Sequence, residues 1–116
     1  MHMAKTIWFA GVAAAAFGFS VAANADVKAG VDAWTDGNFA NAVREWAGPA
    51  KQGDPDAQFN MAQAYRLGRG VDQDVVQAEA LYAKAAEQGH VRAADNYGLL
   101  LFQRGAREGA MPYVTA

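Results

Sequence analysis

The chain of 116 residues contains no cysteine and has no excess of positive charge. The absence of cysteine excludes a disulfide framework, so the packing of secondary structure alone must hold the fold together. The formal net charge is −2 at pH 7. Binding to nucleic acid normally requires a basic surface that replaces phosphate counterions. We therefore expect no nucleic-acid partner.

Groups that carry catalysis are also scarce. Ser20 is the only serine, and it lies in the N-terminal apolar segment, while no G-x-S-x-G or S-x-x-K motif occurs. His90 is the only histidine beyond that segment, and no cysteine or second histidine accompanies it at the spacing of a metal site. The sequence therefore predicts no enzyme, no metal site and no cofactor.

Residues 1–25 have the pattern of a signal peptide. Lys5 gives a basic start, the next 20 residues carry no charge, and Ala23-Asn24-Ala25 forms an A-x-A cleavage site. We expect cleavage after Ala25, export of residues 26–116 and no association with the membrane afterwards. The alternative is an uncleaved anchor, because about 20 uncharged residues can span a bilayer.

A helical pattern repeats in the remaining chain with a period of 36 residues. Ala57 and Asn60 of the first copy correspond to Ala93 and Asn96 of the second, and large and small apolar residues also align. A period of this length is typical of a solenoid, in which each unit buries its apolar face against its neighbours. No linker interrupts residues 26–116, so we expect one domain.

The middle unit, residues 54–90, reads as two helices joined by a glycine-rich loop. Asp54 and Pro55 are typical of a helix start, and Asp74 followed by Gln77 has the spacing of a capping box. The pairs of acids at these two starts are explained better by capping than by acid–base catalysis. The glycines of residues 68–70 favour the left-handed conformation that ends a helix.

The flanking units are variations on this hairpin, at about residues 26–53 and 91–116. Gly37 is expected to separate two helices in the first unit, and Gly105 is expected to separate two helices in the third, which would be incomplete. Small residues are expected at the points where helices cross, because they let helix axes approach closely. These residues are Ala42, Ala62, Ala78, Gly98 and Ala110.

Residues 55–90 closely resemble a Sel1-like repeat, a relative of the tetratricopeptide repeat. The resemblance is carried by the turn Leu67-Gly68-Arg69-Gly70-Val71 and by the second-helix motif Leu81-Tyr82 with Lys84-Ala85-Ala86 and Gln88-Gly89. Residues 93–116 resemble a second copy with a shortened loop. The segment from Trp34 to Trp46 is more similar to an ordinary tetratricopeptide hairpin.

The resemblance implies an all-α, right-handed α-solenoid that binds a protein or peptide partner of the cell envelope, in the periplasm of a Gram-negative cell. The closing motif of the third unit and a polar capping helix are not found before Ala116, which suggests a fragment of a longer protein. The alternative function is therefore a structural spacer. The activity of the longer protein, such as peptidoglycan binding by a sporulation-related domain, would then lie in a missing C-terminal part.

In solenoids of the tetratricopeptide type, the first helix of each hairpin lines a concave groove. Aromatic rings beside amide and guanidinium donors suit an extended peptide. The alternative is that these side chains are simply solvated or packed against the next repeat. The candidate peptide-binding residues are Phe59, Gln63 and Arg66 in the middle unit and Asp95, Leu99, Phe102 and Gln103 in the third.

Overall fold

The computed structural model describes residues 25–115, with side chains described up to residue 108. This part of the chain forms five helices and no strand. The first helix, α1, covers residues 25–35 of the described part. It is followed by α2 (Phe39–Lys51), α3 (Pro55–Leu67), α4 (Val75–Glu87) and α5 (Val91–Thr115).

The helices pack in chain order, as the prediction of an all-α solenoid requires. Helix α3 packs against both α2 and α4, and α4 packs against α5. Helices α1 and α2 form one hairpin, which is closed by a hydrogen bond of 3.1 Å from the indole nitrogen of Trp46 to the carbonyl oxygen of Val27. Helices α3 and α4 form the second hairpin. The all-α solenoid is confirmed.

The core consists of two clusters of buried residues that share the partly buried residues Tyr65 and Leu81. One cluster joins α2 and α3, and the other joins α3, α4 and the start of α5. Alanine is the commonest residue in both clusters, so the helix axes can approach closely and the few large side chains fill the remaining space. The buried members are Ala42, Trp46, Ala50, Ala57 and Met61 in the first, and Phe59, Ala62, Ala78, Tyr82, Ala85 and Ala93 in the second.

The helix starts of the middle hairpin are capped by Asp54 and Asp74 as predicted. The return bond of a capping box is not formed, because the N–H of Asp74 donates to the carbonyl oxygen of Tyr65. The carboxylate of Asp54 accepts a hydrogen bond of 2.9 Å from the backbone N–H of Ala57. The carboxylate of Asp74 accepts one of 3.0 Å from the N–H of Gln77. Each bond satisfies a backbone donor that has no partner within its helix. These acids are helix caps.

The loop between α3 and α4 packs against the preceding hairpin. Gly70 has a φ of +76°, and a Cβ atom placed on it would lie 2.5 Å from the carbonyl oxygen of Phe39. The guanidinium carbon of Arg69 lies 5.2 Å from the centre of the Phe39 ring, a cation–π distance. Arg69 and Gly70 of this loop therefore help to join the first two hairpins.

The predicted turn at Gly105 is wrong. Helix α5 continues through Gly105 to Thr115, and Gly105 is not among the glycines with positive φ in the described chain. Gly53 and Gly89 do end helices, and each is followed by a residue whose side chain caps the next helix, Asp54 or His90. Ala106 follows Gly105 and has no side-chain acceptor, so no local signal starts a new helix there.

The expectation of small residues at helix crossings holds for three of the five positions. Ala42, Ala62 and Ala78 have no exposed surface. Gly98 is exposed, and a Cβ atom built on it would find no neighbour within 4 Å, so no crossing occurs there. Ala110 lies beyond the described side chains.

The predicted signal peptide, residues 1–25, lies outside the described residues except for Ala25. Within residues 25–115, no helix is both long and apolar enough to cross a membrane.

Candidate functional site

A groove of about 270 Å³ lies along the first helices of the successive units. Helices α1, α3 and α5 each contribute side chains to it, and Trp46 contributes from α2. The groove is thus built on rigid helices and not on loops. Its lining residues are Val31, Trp34, Trp46, Phe59, Asn60, Gln63, Leu67 and Arg92.

The apolar end of the groove depends on a cluster of aromatic rings. The ring centres of Trp34 and Trp46 lie 5.5 Å apart, and those of Trp34 and Phe39 lie 4.7 Å apart in an edge-to-face arrangement. Trp46 is almost fully buried, whereas Trp34 is half-buried. Trp34 is therefore the tryptophan of the groove that a ligand can reach. Val31 and Leu67, which are 44% and 40% exposed, extend this apolar surface.

The other end of the groove is formed where α3 meets the start of α5. The Phe59 ring is stacked on the His90 ring at 4.8 Å, and the Arg92 guanidinium carbon lies 4.7 Å from the centre of the Phe59 ring. His90 is fixed in turn, because its Nδ1 accepts a hydrogen bond of 3.1 Å from the N–H of Ala93 and its Nε2 lies 3.1 Å from Asp56. These contacts hold the Arg92 cation at the rim of the groove.

Gln63 carries a polar network from the groove into the core. The Tyr82 hydroxyl donates to Oε1 of Gln63, and Arg66 donates to the same oxygen at 2.9 Å and to the Tyr82 oxygen at 3.1 Å. Burial raises the pKa of Tyr82, and the hydrogen bond from Arg66 opposes this rise. The network fixes the Gln63 side chain, whose NH₂ group remains for other partners.

Asn60 and Asn96, which are equivalent in the repeat, differ in their hydrogen bonding. The Asn96 side chain donates a bond of 2.8 Å to the carbonyl oxygen of Arg92 in its own helix. The Asn60 side chain lines the groove and makes no hydrogen bond within the described part of the chain. Asn60 can therefore offer its amide to a ligand, whereas Asn96 has a local structural bond.

The structure separates the seven candidate binding residues into three groups. Phe59 and Gln63 line the groove, although the Phe59 side chain is a core residue with 3% exposure. Arg66 and Gln103 line a second cleft beside α4. Asp95, Leu99 and Phe102 lie on the exposed face of α5, where Phe102 is 74% exposed.

Sequence reasoning missed most of the groove. Val31, Trp34, Trp46, Leu67 and Arg92 line it but were not among the candidate residues. The repeat register could have indicated Trp34 as a groove residue, because it lies on the first helix of its hairpin, as Phe59 does. Arg92 likewise lies on the first helix of its unit, α5, but the register does not show its contact with the Phe59 ring, which brings it to the groove.

Among the described residues, no group of three or more His, Cys, Asp or Glu side chains is arranged to hold a metal ion. His90, the histidine considered in the sequence, caps α5 and pairs with Asp56. Its position in the fold is explained by these structural contacts.

Comparison with known proteins supports the family suggested by the sequence. The model of the Sel1 repeat matches residues 55–90. Among solved structures, the chain is similar to the crystal structure of a Sel1 repeat protein from Oxalobacter formigenes, with 38% sequence identity and a TM-score of 0.51. This similarity covers 53% of the present chain and 25% of the other, so the chain spans about a quarter of that protein. No curated protein matches the chain.

The repeat match and the hairpin fold together identify one Sel1 repeat in this chain. The repeat occupies α3, α4 and the loops beside them.

Proposed function

We propose that this protein is a non-enzymatic adaptor that binds an extended peptide segment of a partner in the groove between α1, α3 and α5. The observation that carries the proposal is the composition of the groove. It combines a reachable Trp34 ring and exposed Val31 and Leu67 with the uncommitted amide of Asn60 and the cation of Arg92.

Each part of the groove corresponds to a need of a bound peptide. An apolar side chain of the peptide would pack on Trp34 between Val31 and Leu67, where it is removed from water. The amide of Asn60 can both donate to and accept from the peptide backbone, whose polar groups need partners once desolvated. Arg92 can bind a carbonyl or carboxylate oxygen of the peptide.

We further propose that the protein acts in the periplasm, with its partner in the cell envelope. The support is the pattern of residues 1–25, in which a basic start and an uncharged apolar run precede the A-x-A site. A fusion of residues 1–25 to a reporter that is active only after export tests this part. An inactive reporter would contradict export.

The groove can be tested with peptides selected from a displayed library on the full chain. Binding of a selected, fluorescently labelled peptide is then measured by anisotropy for the wild type and for Asn60→Ala. Loss of a hydrogen bond at Asn60 should weaken binding by about 3–10-fold. Trp34→Ala should weaken it by more than about 10-fold, and circular dichroism should show that the helices remain.

The matched control is Asn96→Ala, which removes the same side chain at the equivalent position of the repeat. Because Asn96 bonds within its own helix, this variant should bind the peptide within about 2-fold of the wild type. Equal losses in both asparagine variants, or unchanged binding in both Trp34→Ala and Asn60→Ala, would contradict the groove as the binding site. The unchanged result would favour the structural spacer.

A further inference from the structure

A second cleft, of about 370 Å³, lies between the start of α4 and the middle of α5. Leu100, Gln103, Arg104 and Arg107 line one side, and their spacing places them on one face of α5. Arg66 lines it from the end of α3. The cleft is lined by none of the residues of the groove described above.

The cleft carries positive charge in a protein whose formal net charge is −2. Three arginines line it, against one acid, Glu79. Nη1 of Arg104 donates to both carboxylate oxygens of Glu79, at 2.7 and 2.9 Å, so these two charges compensate each other. Within the described residues, Arg66 bonds to neutral oxygens and Arg107 forms no ion pair. Arg66 and Arg107 therefore face the cleft without an ion pair of their own among the described residues. A second acid, Glu108, lies beside them, with its carboxylate 4.0 Å from Nε of Arg104, so one net positive charge remains.

The Arg66 guanidinium is held in place before any ligand arrives. Its Nε donates to the Tyr82 oxygen, and one Nη donates to Gln63. Three of the five guanidinium N–H groups remain for other acceptors. Gln73 donates to the carbonyl oxygen of Arg66 at 2.9 Å, which steadies the end of the helix. A fixed guanidinium loses little conformational entropy when it binds a carboxylate.

An apolar surface adjoins these cations. Val75 and Val76 line the cleft and are 42% and 80% exposed, and Leu100 contributes from α5. The side chains of Gln73 and Gln103 add amides that can bind a peptide backbone. Phosphate alone would make no use of the apolar residues, so charge complementarity and the adjoining valines favour one occupant, a polypeptide.

We infer that this cleft is a second docking site, which binds an acidic polypeptide segment with apolar residues between its carboxylates. The carboxylates bind Arg66 and Arg107, and the apolar side chains cover Val75 and Val76. The cleft and the groove share no lining residue, so one partner can occupy each, and the bond from Arg66 to Gln63 connects them.

The test uses the full chain and the labelled peptide Gly-Leu-Glu-Glu-Leu-Glu-Gly, with binding measured by fluorescence anisotropy at low and at physiological salt. Binding should weaken as salt is added and should be at least about 10-fold weaker for the peptide with Gln in place of Glu. Arg107→Gln should weaken binding of the acidic peptide by about 10-fold.

Three variants assign the effect to the cleft. Arg44→Gln removes the same charge from an exposed site on α2 and should change binding by less than about 2-fold. The double variant Glu79→Gln/Arg104→Gln keeps the net charge of the cleft and should bind within about 3-fold of the wild type. Trp34→Ala should leave this binding unchanged, which separates it from the groove.

Several results would overturn the inference. These are no binding of the acidic peptide up to about 1 mM, equal binding of the Gln peptide, or equal losses in Arg107→Gln and Arg44→Gln. Tighter binding of a labelled oligouridylate that is lost in Arg107→Gln would also overturn it, in favour of a nucleic-acid partner.

Discussion

Gly30 allows α1 to lie directly against the indole of Trp46. A Cβ atom placed on Gly30 would lie 2.1 Å from Nε1 of Trp46 and 2.5 Å from its Cδ1. Nonbonded heavy atoms normally stay about 3.5–4.0 Å apart, so Gly30→Ala must move either the helix or the ring. Moving the ring also disturbs the hydrogen bond of 3.1 Å from Nε1 to the carbonyl oxygen of Val27.

Three terms set the expected change in the free energy of unfolding. Overpacking typically costs ~1–3 kcal/mol. Loss of the indole hydrogen bond costs about 1 kcal/mol more. Alanine regains about 1 kcal/mol through its higher helix propensity. Gly30→Ala should therefore destabilise the protein by about 1–3 kcal/mol and lower its Tm by at least about 4 °C.

Gly98→Ala is the matched control, because Gly98 is also helical but a Cβ atom there finds no neighbour within 4 Å. This variant should raise stability by about 0.4–1 kcal/mol. Gly48 is less suitable because Pro49 follows it and restricts its backbone. Thermal unfolding by circular dichroism measures both variants. A Tm for Gly30→Ala that rises as it does for Gly98→Ala would refute the packing of α1 on Trp46.

Three further predictions concern the core and the start of α5. Ala78→Leu should cost ~1–3 kcal/mol in urea unfolding, because Ala78 has no exposed surface and no room for a larger side chain. Tyr82→Phe should cost about 1–2 kcal/mol of unfolding free energy, since it removes the hydroxyl that donates to Oε1 of Gln63. The pKa of Tyr82 is raised above the ordinary value of 10.0. The stabilisation that comes from its protonated phenol is therefore complete below pH 10 and declines as the pH rises further. When the free energy of unfolding is measured against pH, Tyr82→Phe should lack this part of the alkaline loss of stability. His90→Ala should cost about 1 kcal/mol in urea unfolding by removing the acceptor for the N–H of Ala93, and His90→Asn should recover part of it.

Each of these has a result that would contradict it. An unchanged unfolding midpoint for Ala78→Leu would mean that α4 does not cross its neighbour at Ala78. The same alkaline profile for wild type and Tyr82→Phe would mean that the phenol is not buried in the native state. Equal stability of His90→Ala and His90→Asn would mean that the side chain does not cap α5.

The middle hairpin could be predicted because its signals are local. Asp54 and Asp74 cap helices through bonds to residues three positions ahead, and such spacing is visible in the sequence. The glycine at position 105 misled because a glycine alone does not end a helix. Gly53 and Gly89 are followed by capping side chains, whereas Gly105 is followed by Ala106, which supplies none, and α5 continues.

The groove could be predicted only in part, because its geometry is not local. The repeat register indicated that the first helix of each hairpin forms it, and Gln63 does line it. The register did not show that Phe59 turns into the core to stack on His90, or that this contact brings Arg92 to the rim. These contacts join residues about 30 positions apart, across the intervening α4.

The central claim is that a peptide partner binds in the groove, and a two-dimensional proton–nitrogen NMR spectrum tests it most directly. A peptide selected on the full chain is added to labelled protein, and the indole and side-chain amide signals are followed. The account predicts that the signals of Trp34, Asn60 and Gln63 shift, while those of Gln73 and Gln103 in the second cleft stay in place. Shifts confined to Gln73 and Gln103, with no change at Trp34, would contradict it.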